Sequence, residues 1–255
     1  MLAGDRGPTD PVAQARGVGT KAFAPLAGRP MIDYVLDTLR AAPGIGDIHV
    51  QIAEDAPALP DDVTRLAAAA SPAASVAAAF EHTGAPLFVT TADNPLLTVE
   101  MIADFLRDAE ATGADVVAGM ALRPVVERAG NPGRRTYIRF SDGEVSGCNL
   151  FAMTTPRAAS GAAYFRRLEQ DRKKPLKMAR KVGLWPLLKL ALGLMSRAGA
   201  AAAIARRAGC SMAIVTVNHP EAAHDVDKAS DIEFVERRLM ERQGARDGAA
   251  ASAGY

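Results

Sequence analysis

Apolar and polar residues alternate along the chain in short units separated by Gly, Pro and Asp. After a loop from Gly4 to Gly19, Met31, Ile32, Val35, Leu36 and Leu39 recur at helical spacing and predict a helix over 30–39. Gly44 and Gly46 interrupt the pattern, and Ile48-His49-Val50-Gln51-Ile52 then alternates with period two, as a strand does. Segments 61–66 and 75–82 read as short helices. Leu87-Phe88-Val89 is a compact apolar run of the kind found in a buried central strand, and it ends at Thr91-Ala92-Asp93-Asn94-Pro95. Thr98 is placed to cap a helix that runs to Thr112, with Gly113 past its end, and Ala114 to Met120 reads as a further strand.

This repeated order of strand, loop, helix and strand predicts an α/β fold with a mixed, mostly parallel sheet flanked by helices. Parallel neighbours need a crossover between them. Tyr137 to Phe140, the polar turn Ser141-Asp142-Gly143-Glu144 and Val145 predict a hairpin, with Gly147 to Met153 extended beyond it. From Tyr164 to Arg207 the chain reads as helical and strongly basic. Met212 to Val217 is a predicted strand, Asp225 to Ser230 a loop and Ile232 to Met240 a closing helix. One domain over 1–241 is expected, with the basic helices around 164–207 as an insertion and 242–255 as a frayed tail.

The composition narrows the classes of function. With 255 residues, 49% hydrophobic, 23% charged and a net charge of +1, the chain is an ordinary globular one, and no nucleic-acid partner is expected. Cys148 and Cys210 are too few for a disulfide scaffold or a four-thiolate zinc site. No apolar stretch of signal length follows Met1, and Leu184 to Met195 is interrupted by Pro186 and Lys189, so cytoplasmic residence is the expectation.

Three loops hold residues suited to phosphate chemistry. The glycine-containing loop Leu2 to Gly7 can offer backbone N–H groups to phosphates, and Lys21 can neutralise charge that grows on a leaving group. Asp93 follows an apolar strand, where the crevice of an open α/β sheet lies, and can hold Mg²⁺. Asp225 and Asp227 share one face if their segment is extended, and either could complete a metal site with Asp93. Plainer readings are a surface loop, a turn-forming Asp, and a helix cap at Ser230 or Asp231. His49, His82, His219 and His224 are scattered, with no metal-ligand spacing.

In this order and spacing the segments resemble the MobA-like NTP transferase family, nucleotidyltransferases of GT-A-type fold. Leu2 to Gly7 is similar to its opening glycine loop, Lys21 to Ile32 to its lysine segment, and Ser75-Val76 to its base-binding step. Asp93 to Thr98 resembles its metal-binding motif, Asp225 to Ile232 its late acidic motif, and Gly147 to Phe151 its acceptor-facing segment. Asp5-Arg6 departs from the family glycine, and Lys228 stands where the family often has Thr. Met1 occupies a place where the family has several apolar residues, so a start upstream of Met1 is expected, because loss of a central strand leaves its neighbours unpaired.

The resemblance implies a Mg²⁺-dependent transfer of NMP from an NTP to a phosphorylated small-molecule acceptor, releasing pyrophosphate. It assigns Leu2, Ala3, Gly4, Arg6 and Ser75 to the nucleotide and Lys21 and Asp93 to catalysis. Asp93 with Asp225 or Asp227 would hold the metal, and Asn149 would face the acceptor. Base, acceptor and oligomeric state stay open. An idle nucleotide-binding regulator is the competing class, whereas a dehydrogenase would need G-x-G-x-x-G after a strand. Residues 172–195, with lysines beside Trp185 and leucines, read as a packed helix over the acceptor side, as part of a dimer interface, or as a peripheral membrane contact.

Overall fold

The computed structural model describes residues 1–4, 9–130, 135–171, 181 and 183–253, with side chains described as far as residue 245. Two edges of a mixed sheet are built separately and meet at the start of the chain. On one side, β3 (Ile48–Ile52) pairs in parallel with β4 (Val63–Ala67). On the other, β5 (Leu87–Val89), β8 (Gly143–Met153), β6 (Val116–Leu122) and β9 (Met212–Thr216) lie in that order, with β7 (Ile138–Phe140) also on β8. Leu2 bridges both halves in parallel, to Gln51 within β3 and to Thr91 just past β5. Four backbone bonds fix it: Leu2 N–H to Thr90 O, Ala3 N–H to Gln51 O, Gln51 N–H to Met1 O and Ala92 N–H to Leu2 O, all 2.8–3.0 Å.

Residues 1–3 therefore occupy the position of a central strand between β3 and β5. A cavity of about 1020 Å³ is lined by Met1, His49, Thr83, Phe88 and Met153 among others. Strand β8 is antiparallel to each of its neighbours β5, β6 and β7, so it runs against the sense of the sheet. The sheet is thus mixed and mostly parallel in sense, as the alternation of elements predicts.

Helices cover both faces. In α2 (Met31–Ala41) the five periodic apolar residues are all buried, and α4 (Val99–Thr112) starts where Thr98 Oγ1 accepts from Met101 N–H and stops at Gly113 in the left-handed region. Such a cap is worth about 1 kcal/mol. The main core joins Ile32, Val35 and Leu36 to Val50, Ile52, Phe105, Val117 and Leu150. The remaining helices are α1 (Pro11–Arg16), α3 (Pro72–Thr83), α5 (Arg123–Glu127), α6 (Ala158–Gln170), α7 (Leu184–Ala191), α8 (Arg197–Ala208) and α9 (Ala229–Ala253). A small antiparallel ribbon joins β1 (Pro25–Leu26) to β2 (Arg29–Pro30).

Three local expectations are corrected. Segment 61–66 is not helical: β-branched Val63 and Thr64 lie in β4, because pairing with β3 supplies the backbone partners that a short isolated helix lacks. Val145 and 147–153 belong to one strand, β8, kinked where its register to β6 shifts between Ala118 and Met120 and Asn149 adopts φ 53°. The closing helix starts at Ala229 and continues to Ala253, past the Met240 expected, through a stretch rich in alanine, the best helix former.

Candidate active site

The lysine segment is shaped before it meets any partner. Lys21–Phe23 forms one 3₁₀ turn, after which Ala27 (φ 45°) and Gly28 (φ 84°) close the β1–β2 ribbon through two residues of positive φ, as a tight hairpin requires. Ala27 N–H donates to Glu236 on α9 at 3.1 Å, tying the ribbon down. Lys21 is left 7% exposed, with its ammonium directed at the carboxyl end of β5.

Asp93 waits there. Lys21 Nζ donates to Asp93 Oδ2 at 2.7 Å and to Asp227 Oδ1 at 3.0 Å, bridging two carboxylates that lie far apart in sequence. Asp227 reaches the site because Val226 N–H donates to Asp93 O at 2.8 Å. Val226 is fully buried, and the residues on either side of it project together towards Asp93, as the extended reading of 225–227 requires. One oxygen each from Asp93, Asp225 and Asp227 lies within 4.8 Å of the others. Asp93 Oδ1 is buried with no partner, which leaves a lone pair for a cation. Hard oxygen donors of this kind suit Mg²⁺ or a similar divalent ion.

Electrostatics follow from that crowding. Burial acts to lower the Lys21 pKa, but Asp93 and then Asp227 outweigh it and hold the ammonium above its ordinary 10.5. Asp225 is pushed up to about 6 by burial, then by the Asp227 and Asp93 charges, against the pull of Arg135. Asp227, although burial opposes it, is held below the usual carboxylate range by Lys21.

Arg135 escapes the sequence reading. Its guanidinium donates to Asp225 Oδ1 at 2.5 Å and to Asp225 O at 3.1 Å, and it lies 3.7 Å from Asp231. Asp231 is not a cap in the expected sense: its Oδ2 accepts from Asp227 N–H and Lys228 N–H, both at 3.0 Å, and so fixes the acidic turn from inside α9. The only signal for Arg135 in the sequence is an arginine ahead of the predicted hairpin, which names no partner.

The other expected residues are placed around this cluster with varying closeness. Leu2 and Ala3 are held in the sheet, and Gly4 is exposed directly after them. Arg6 lies outside the described residues. Ser75 is buried, and its Oγ accepts from Ala69 N–H at 3.0 Å, which commits the hydroxyl to the β4–α3 connection. Asn149 is half-buried on the β8 kink. Cys148 beside it is buried, and burial pushes its thiol up to about 12, far from a thiolate at neutral pH. The histidines do other work: His49 and His82 meet edge to face, and His219 lies 2.9 Å from Asp104. His224 is packed against Phe234, and burial lowers its pKa to about 4.

With the geometry in place, comparison with known proteins is decisive about the family. The model of the MobA-like NTP transferase domain matches residues 2–140, more than half of the chain. The chain belongs to this MobA-like family. A hypothetical transferase from Thermus thermophilus is 31% identical, with 91% of this chain and 98% of that one covered at a TM-score of 0.77. The fold is also that of 2-C-methyl-D-erythritol 4-phosphate cytidylyltransferase from Thermus thermophilus (14% identity, 94% and 98% covered, TM-score 0.51). Molybdopterin-guanine dinucleotide biosynthesis protein A from Archaeoglobus fulgidus shares it as well (12% identity, 94% and 97% covered, TM-score 0.53). No curated protein matches the chain in sequence. The architecture of this MobA-like chain is the GT-A-like α/β one of nucleotidyltransferases.

Proposed function

We propose that the protein is a Mg²⁺-dependent nucleotidyltransferase that moves an NMP unit from an NTP to a phosphorylated small-molecule acceptor and releases pyrophosphate. The observation that carries this reading is the Lys21–Asp93–Asp227 contact with Asp225 beside it, at the carboxyl end of β5 in a member of this family.

Asp93, Asp225 and Asp227 are the residues that would hold the divalent ion, whose charge, when bound, offsets that of the phosphate oxygens. Lys21 exchanges its carboxylate partners for phosphate oxygen and stabilises the charge that grows as pyrophosphate leaves. Gly4, exposed directly after Leu2 and Ala3, lets the triphosphate approach the backbone. Leu2 and Ala3 fix that loop in the sheet, and Ser75 fixes the β4–α3 loop on the base side. Asn149 presents a side-chain amide to the acceptor from a kinked backbone. An acceptor phosphate oxygen attacks the α-phosphorus as the bond to pyrophosphate breaks, and alignment and charge do the catalytic work.

The test is pyrophosphate release with each of the four NTPs across a panel of phosphorylated acceptors in Mg²⁺. Release that needs one NTP, one acceptor and Asp93, being lost in Asp93→Ala, is expected. Saturable nucleotide binding with no release from any pair would point to a regulatory binding module.

A further inference from the structure

Helix α7 presents an apolar face that none of the described residues covers. Leu184 is 70% exposed, Trp185 72%, Leu188 44% and Leu192 61%. At 100° per residue these four fall within an arc of about 100°, with exposed Lys189 on its edge. Pro186, Leu187 and Leu190, on the opposite arc, are the half-buried ones, so α7 lies on the protein through one apolar side and shows another to solvent. Leu194, 66% exposed, extends the patch past the helix end. Isolated exposed leucines are ordinary, but a contiguous stripe with an aromatic at its margin marks an interaction surface.

Charge selects the kind of partner. No Asp or Glu occurs between Asp171 and Glu221, while Lys and Arg recur through the same stretch of a chain whose net charge is only +1. Among the described residues, Lys189 is exposed on α7 itself, and the guanidinium groups of Arg207 and Arg139 lie against Gly183 and Gly193 at its two ends. A second copy meeting this face about a two-fold axis would bring two such basic regions together, which opposes self-association. Among the described residues no helix is long and apolar enough to cross a membrane. An apolar stripe with a tryptophan at its margin and basic residues beside it suits the plane of an anionic bilayer, where the rings and leucines enter the headgroup boundary and the cations stay outside.

We propose that the exposed Leu184–Trp185–Leu188–Leu192 face of α7 docks the protein on an anionic lipid surface. The contact is peripheral and reversible, and it leaves the carboxyl end of the sheet free to work beside the membrane.

Trp185 is the single tryptophan of the chain, so its emission reports this face alone. The full-length protein is mixed with vesicles of phosphatidylglycerol and phosphatidylcholine in equal parts, and with vesicles of phosphatidylcholine only. Binding is read by co-sedimentation and by the position of the Trp185 emission. The expected result is co-sedimentation and a blue shift with the anionic vesicles only, both reversed by high salt. The double substitution Leu188→Ser, Leu192→Ser, checked for an unchanged melting curve, weakens vesicle binding by about tenfold or more. Equal binding to neutral vesicles, or binding unchanged in the double variant, would overturn the proposal. So would a blue shift that grows with protein concentration without lipid, which would assign the face to a second copy, or no partition into either vesicle.

Discussion

Lys21 Nζ sits 2.7 Å from Asp93 Oδ2, and the same ammonium holds Asp227 at 3.0 Å. The lysine is thus the counter-ion of the carboxylates proposed to bind metal. Ammonium and divalent cation compete for the same charge. Lys21→Met is expected to tighten Mn²⁺ binding to the nucleotide-free protein by roughly three- to tenfold, because a neighbouring positive charge is removed. The same change is expected to lower turnover by about 10²–10³. Calorimetric Mn²⁺ titration and the pyrophosphate assay read the two effects, and a metal affinity that falls with turnover would contradict the competition.

Asn149 holds its position with a left-handed backbone at φ 53°. Asn149→Gly relieves that conformation and removes the side-chain amide, so the two roles separate. Stability is expected to stay level or rise by up to about 1 kcal/mol, while the KM for the acceptor rises roughly tenfold and that for the NTP stays put. An acceptor KM that does not move would remove Asn149 from the acceptor site.

At the far end of β6, Asp115 accepts from Thr155 Oγ1 at 2.5 Å and from Ser211 N–H and Oγ at 2.7 Å, closing the sheet against the chain on either side. Hydrogen bonds from Thr155 and then Ser211 hold its carboxyl at about 2, below the ordinary 3.8. The native state therefore favours the charged form. This contribution is fully present above the unfolded pKa and is lost as pH falls through about 2. Asp115→Asn sets an amide donor against a donor and is expected to cost about 1.5–3 kcal/mol at pH 7. Urea unfolding at pH 7 and near pH 2.5 should show the gap between the two proteins narrowing at the lower pH.

Gly119 faces the kink in β8 at close quarters: a Cβ there would lie 3.0 Å from Val217 Cγ2, 3.1 Å from Phe105 Cδ2 and 3.2 Å from Leu150 Cβ. All three neighbours belong to the packed core, so Gly119→Ala is expected to lower stability by about 1–3 kcal/mol. A melting temperature equal to that of the wild type would show that the sheet and α4 can part at this point.

Residues that act through local periodicity were legible in the sequence. The five apolar residues of α2 fix its buried face, and the Asp225–Val226–Asp227 alternation puts a buried valine between two carboxylates. What escaped depends on partners distant in the chain. Val63–Ala67 is a strand because β3 is beside it, and short segments of mixed pattern do not declare such pairing. Arg135 matters because Asp225 accepts from it across a long stretch of intervening chain. Asp231, a predicted cap, turns its carboxylate back to the amides of Asp227 and Lys228, a choice set by the loop's docking on Asp93.

The reaction itself is tested most directly by following the phosphates of a labelled NTP, using the nucleotide and acceptor that support pyrophosphate release. Label in the α-phosphate is expected to enter the acceptor product, label in the γ-phosphate to leave as pyrophosphate, and Asp93→Asn to lower both signals together. Appearance of the γ-label in the acceptor product, or α-label transfer that persists unchanged in Asp93→Asn, would contradict this route.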